Sequence, residues 1–141
     1  MIQYFIEDVD VDLSLFEGTE RWLCSVARIE GYAIRYINYI FGSDSYILSI
    51  NQQYLQHDYY TDIITFDQRD DPSQPLEADI FISTDRVFEN ASDLGILFFD
   101  EMLRVLVHGL LHLFGYSDTS VESKTLMRRL ENKYILLYSN S

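Results

Sequence analysis

The sequence predicts a sheet with helices packed on it, of the α/β or α+β type, from three observations. Four short stretches rich in β-branched and aromatic residues lie at Ile2–Ile6 and at residues 33–41, 62–67 and 78–83. Between and after them run segments with apolar residues at helical spacing, most opened by a hydroxyl residue and closed by glycine. The 141 residues, 48% apolar and 23% charged, suffice for one core, so 1–141 reads as a single domain.

Ile2–Ile6 is the expected first strand, and the acidic run from Glu7 to Asp12 its exposed exit. Thr19 can cap a helix reaching Glu30, with Trp22, Leu23, Val26 and Ile29 on one face and Gly31 as its stop. Arg21 and Arg28 share a solvated side of that helix. Residues 33–41, AIRYINYIF, are too short between their glycines for a long helix and form the second strand. Ser43 caps a helix over Asp44–Leu55, after which a loop containing an exposed His57 feeds a strand at 62–67. Pro72, Pro75 and the charges of Arg69, Asp70 and Asp71 mark 68–77 as an exposed loop before the fourth strand at 78–83. Ser83 caps a helix through Leu94, Gly95 ends it, and the next begins near Phe98. Thr119 to Glu122 spells T-x-x-E, a capping box for a last helix to about Tyr138. That helix has Leu126, Leu130, Tyr134 and Leu137 as its apolar stripe, with Lys124, Arg128, Arg129 and Lys133 beside it. We carry forward the α+β form: a mixed four-stranded sheet with about five helices and a central histidine-bearing one.

The chemistry concentrates in VLVHGLLHLFGYSD, Val105 to Asp118. His108 and His112 are one helical turn apart and project from one face. Gly115 can end the helix, and the turn through Tyr116 and Ser117 can swing Asp118 back toward that face. Two imidazoles and a carboxylate suit a borderline divalent cation such as zinc and leave a fourth position for water, whose pKa zinc lowers to about 7. The ordinary alternative is a pair of core histidines. It must then find other partners for two buried rings, at roughly 1–3 kcal/mol for each group left unpaired. The spacing is that of the HExxH of zinc proteases, yet the position of the protease's general base holds Gly109. Glu101 and Arg104 share the histidine stripe. They read first as an exposed pair at the helix start, and Arg104 second as a candidate to stabilise phosphate charge.

Net charge is −13, and residues 101–141 hold five basic and four acidic side chains, so the excess of acid lies in the first 100 residues. Such a surface disfavours non-specific RNA binding, which is driven by lysine and arginine on phosphates. It suits basic proteins as partners. No apolar run approaches the ~20 residues of a membrane span, and no basic-then-apolar leader opens the chain. A lone Cys24, read as a helix core residue, excludes an internal disulfide and fits a reducing cytoplasm.

The same stretch resembles the YbeY endoribonucleases of bacterial rRNA maturation. Their helix reads His-Gly-x-Leu-His-Leu-x-Gly-Tyr-Asp-His, matched here at His108, Gly109, Leu111, His112, Leu113, Gly115 and Tyr116. Asp118 stands where that pattern has its third histidine, and Ser117 where it has aspartate. Further matches are Asn51, Tyr54, Asp58, Thr61, Asp62 and Phe66 in SINQQYLQHDYYTDIITF, and Asp79, Ile80, Ile82 and Ser83 in EADIFIS. Leu55 replaces the arginine that the family places after the tyrosine, so that role is not carried over. The resemblance implies one metal ion, held by His108, His112 and Asp118, in a single-strand-specific endoribonuclease. It further implies that rRNA and the small ribosomal subunit, or its basic proteins, are partners in small-subunit maturation or quality control. The competing expectations are a non-catalytic ribosome assembly factor with a structural metal, a metal-dependent hydrolase of another substrate, and, last, a non-haem iron oxygenase, since two histidines and a carboxylate can form a facial triad.

Overall fold

A computed structural model describes residues 1–57 and 60–140. Its sheet has four strands, β1 (Ile2–Ile6), β2 (Ile34–Gly42), β3 (Ile63–Asp67) and β4 (Leu76–Ser83), in the order β1-β2-β4-β3. β1, β2 and β4 run parallel, while β3 pairs antiparallel with β4 and forms an edge. The five helices are α1 (Thr19–Glu30), α2 (Asp44–Leu55), α3 (Thr84–Leu94), α4 (Phe98–Leu113) and α5 (Val121–Ser139), with one 3-10 turn at Leu13–Phe16. The α+β expectation holds: the sheet is mixed, and the histidines lie on α4.

Alternation along the strands separates two packed faces. Ile37, Tyr39 and Phe41 of β2 and Ala78, Ile80 and Ile82 of β4 face a core completed by Trp22, Leu23 and Val26 of α1, Leu106 and Leu110 of α4, and Tyr134 of α5. On the other face Ile64 and Phe81 meet Ile47 and Ile50 of α2. β3 therefore sends Ile63 toward α4 and Ile64 toward α2. α4 lies unusually close to the sheet at Gly109, where a Cβ would come 3.0 Å from Ile63 Cδ1 and 3.2 Å from Ile80 Cδ1. A glutamate at that position would enter the core, which is a structural reason why the protease pattern does not apply.

Capping sets the bounds where they match the sequence. Ser43 and Ser83 accept from Tyr46 N and Arg86 N and start α2 and α3, and Gly95 takes a left-handed conformation (φ 69°) after α3. The Ser83 hydroxyl, buried, also donates to Asp44 Oδ1 at 2.7 Å, and Asp44 receives Arg86 Nε. Ser83→Ala is expected to cost about 1–3 kcal/mol, one cap and one buried hydrogen bond, read as a lower urea midpoint.

Several expectations need correction. Thr19 is the first helical residue, not the cap: Gly18 holds that position with φ 87° and no side-chain bond. The Thr19 hydroxyl instead donates to Phe16 O, so the Tyr4 hydroxyl donates to it. The capping box lies one residue on from Thr119, where Ser120 and Ser123 cap each other's backbone N–H. Ile29 is exposed, and the buried stripe of α5 is Met127, Glu131 and Tyr134, with Leu126 turned outward. β4 begins at Leu76, inside the expected loop. Arg69 is not an exposed loop charge: its side chain, 5% exposed, pairs with Asp67 and donates to Leu113 O at the C-terminal end of α4. Cys24 is half-buried, with burial raising its thiol pKa, and is a free cysteine. Asp58, one of the positions matched above, lies outside the described residues.

Candidate metal centre

α4 is a 16-residue helix whose buried side carries Val105, Leu106, Gly109, Leu110 and Leu113, which turns His108 and His112 toward the β3 edge of the sheet. Its end is fixed by one glycine conformation and two hydrogen bonds. Gly115 adopts φ 103°, Arg69 binds Leu113 O, and the Tyr32 hydroxyl donates to Phe114 O at 3.0 Å. The chain then returns, and Asp118 Oδ2 lies 3.4 Å from His108 Nε2 and 3.5 Å from His112 Nε2. The two Nε2 atoms are 3.0 Å apart. Sequence reasoning expected these three residues to meet, and in the structure they do: one donor atom from each lies within 4.8 Å of the others.

The hydrogen bonds behind the rings determine what faces inward. His108 Nδ1 lies 2.6 Å from Glu131 Oε2, and His112 Nδ1 lies 3.0 Å from Tyr116 O. A carboxylate and a carbonyl are acceptors, so both rings carry their proton on Nδ1. Each Nε2 then presents a bare lone pair. Two such lone pairs and a carboxylate oxygen confront one another within 3.5 Å, an arrangement that repels itself unless a cation, or a further proton on one ring, sits between them. Tetrahedral zinc with bonds of about 2.0–2.1 Å places its ligand atoms roughly 3.3 Å apart, so the donor set fits the metal. The surrounding charge agrees. Burial alone would lower the His108 pKa, but the hydrogen bond and charge of Glu131, then Asp118 and Asp62, raise it above the ordinary histidine value: the site favours positive charge.

Glu131, on α5 and 4% exposed, is the residue that the sequence reading missed. Its other oxygen accepts from Arg104 Nη1 at 3.1 Å and lies 3.6 Å from Arg128 Nη1. Arg104 also donates to Asn132 Oδ1, and its Nε faces Glu101 Oε1 at 3.5 Å. The expectation of an exposed Glu101–Arg104 pair is therefore wrong, because Glu101 is 5% exposed and burial raises its pKa. Arg104 has its guanidinium committed to holding Glu131, which holds His108. Its place is behind His108.

His112 has its own support. The Tyr116 hydroxyl donates to Glu30 Oε1 at 2.8 Å, and the Tyr134 hydroxyl donates to Glu30 Oε2, so the last residue of α1 anchors the turn whose carbonyl orients His112.

Two cavities meet at the cluster. The first, about 630 Å³, is lined by Leu55, His57, Ile63, Thr65, His108 and His112, among others. The second, about 420 Å³, is lined by Arg104, His108, Asp118, Arg128 and Glu131, among others. Asp62 borders both, its pKa raised by burial against the attraction of His108. All three histidines of the chain line the first cavity.

Fold and donor set together define a class: an α+β protein with a two-histidine, one-carboxylate cluster beside the edge of a mixed sheet. A family model described as "Endoribonuclease YbeY" matches residues 2–139. An endoribonuclease YbeY of Cytophaga hutchinsonii is 46% identical over 136 residues, covering 96% of this chain and 94% of that protein. One of Bacteroides thetaiotaomicron is 43% identical over 137 residues, covering 96% and 98%. The solution structure of TM1509 from Thermotoga maritima superposes with a TM-score of 0.70 at 27% identity, covering 96% of this chain and 87% of the other. The chain belongs to the YbeY endoribonuclease family.

Proposed function

We propose that this chain cleaves single-stranded RNA internally, with one divalent cation held by His108, His112 and Asp118, and acts on small-subunit rRNA in ribosome maturation or quality control. The observation that carries the reading is the convergence of a carboxylate oxygen with two imidazole nitrogens whose ring hydrogens are directed elsewhere. Zinc is the ion that such a donor set favours. A bound cation supplies Lewis acidity at a phosphate oxygen and activation of the attacking group.

The chain's own residues do the rest. Glu131 and Tyr116 O hold the two rings in the tautomer that offers Nε2. Arg128, exposed at the mouth of the second cavity, is placed to meet a phosphate, with Lys124, Arg129 and Lys133 on the same helix. These four cations of α5 supply attraction for phosphate that the overall charge of −13 does not. Three protein ligands beside open cavities favour catalysis over a purely structural metal, since structural sites close with four. Among the described residues no helix is long and apolar enough to cross a membrane, which is compatible with work beside cytoplasmic ribosomes.

The test is cleavage of an end-labelled single-stranded RNA by the purified chain. Chelation with EDTA should abolish cleavage and added zinc should restore it, while His112→Ala should lose it at least ~100-fold, judged against the cost of disturbing ligand partners alone. Equal cleavage by His112→Ala would refute the assignment. Arg128→Ala should weaken RNA binding and lower the salt dependence of affinity by about one ion.

A further inference from the structure

β3 is an edge strand, so one line of its backbone groups has no neighbouring strand. The register identifies them. Ser83 N donates to Asp62 O and Gln68 N donates to Glu77 O, which makes the even-numbered residues the ones bonded to β4. Ile63, Thr65 and Asp67 therefore point N–H and C=O outward. Ile63 O receives the Thr61 hydroxyl at 3.3 Å, while among the described residues no side chain is recorded on the Thr65 backbone.

The first cavity lies along this open edge. It is lined by Ile63, Ile64 and Thr65 in succession, although consecutive residues face opposite sides of a sheet. Only a cavity that wraps the edge touches all three. It is continuous with His108, His112 and Asp118, and Leu55 and Leu113 supply apolar contact.

We propose that the outward backbone of β3, centred on Thr65, binds the base-pairing edge of an unpaired nucleotide in the RNA strand held at the metal cluster. The N–H and C=O of one strand residue form an adjacent donor and acceptor. Every base presents an acceptor beside a donor on its Watson–Crick edge, so the match needs no particular base, only one not already paired. Selectivity for single strands follows without a sequence preference. Charge sets the direction. Asp62 and Asp67 on the β3 side repel a phosphate but tolerate a neutral base, and although the second cavity is also lined by carboxylates, Arg128 on α5 is its exposed cation. The strand thus lies with a base along β3 and a phosphate toward α5. This rests on the endoribonuclease reading and adds how that site recognises its substrate.

The experiment follows backbone amide shifts of the zinc-loaded chain on adding a ten-nucleotide single-stranded 2′-O-methyl RNA of mixed sequence. The amides of Ile63, Thr65 and Asp67 should move, those of Ile64 and Phe66 should not, and the same RNA annealed to its complement should leave the first three in place. Thr65→Pro removes only an outward N–H, which an edge strand tolerates, and should weaken single-strand binding about tenfold, the worth of one hydrogen bond. Thr65→Val keeps the N–H and should bind as the parent does. If the RNA shifts His108 and His112 but not the three amides, or if the duplex shifts them equally, the β3 proposal falls while the nuclease reading stands. If an extended ten-residue peptide moves those amides and the RNA does not, the occupant is a polypeptide and the proposal is wrong. If the RNA moves neither the amides nor the histidines, both readings fail.

Discussion

Asp118→Ala is expected to purify with far less than the one divalent cation per chain of the parent, measured by elemental analysis, and to bind zinc more than ~100-fold more weakly. The magnitude follows because loss of a partner behind a ligand already costs 10–100-fold, and this change removes a ligand outright. Asp118 is 40% exposed and sits outside the regular elements, so the circular dichroism and thermal midpoint of the metal-free proteins should be nearly equal. Asp118→His supplies the imidazole of the family's usual pattern and should restore the ion. Stoichiometric zinc in the alanine variant would remove Asp118 from the site and overturn the three-residue assignment.

The second large effect is expected at Glu131. Glu131→Ala removes the acceptor for His108 Nδ1 and one of the carboxylates that neutralise Arg104. Arg104 keeps Glu101 and Asn132, so the loss of stability should be about 1–3 kcal/mol, not the larger cost of a stranded charge. Metal affinity should fall about 10–100-fold, and less in Glu131→Gln, whose carbonyl can still accept the proton. Nitrogen-15 spectra of the imidazoles provide a readout independent of activity. The parent should show the proton of His108 on Nδ1, and Glu131→Ala should show a mixture of both tautomers. An unchanged tautomer with unchanged affinity would reduce Glu131 to a packing residue.

The convergence of His108, His112 and Asp118 was legible in the sequence and its support was not, for a physical reason. His108, His112 and Asp118 lie within eleven residues of one another, so helical geometry and one glycine turn bring them together. Glu131 reaches His108 across the α4–α5 contact, and the only trace of this is a carboxylate four residues after Met127 and three before Tyr134, on what proves to be a buried stripe. The stripe expected from the sequence, Leu126, Leu130, Tyr134 and Leu137, does not include Glu131. The bounds of α2 and α3 were set by Ser43 and Ser83 because each cap is local. Thr19 and Thr119 failed as caps where another choice won: a local bond to Phe16 and a tertiary one to Tyr4 in one case, and a serine one position along in the other. Arg69 looked like a loop charge because nothing near it in sequence reveals that the hairpin folds against the last carbonyls of α4.

The partnership of α4 with α5 also bears on when the protein becomes competent. Translation releases His108 before Glu131, so a nascent polypeptide emerging from the ribosome has its histidine helix before the carboxylate that sets the ring. A chain at that stage would load its cation poorly. Completion of the cluster is thereby tied to docking of a segment made later than the histidines it serves.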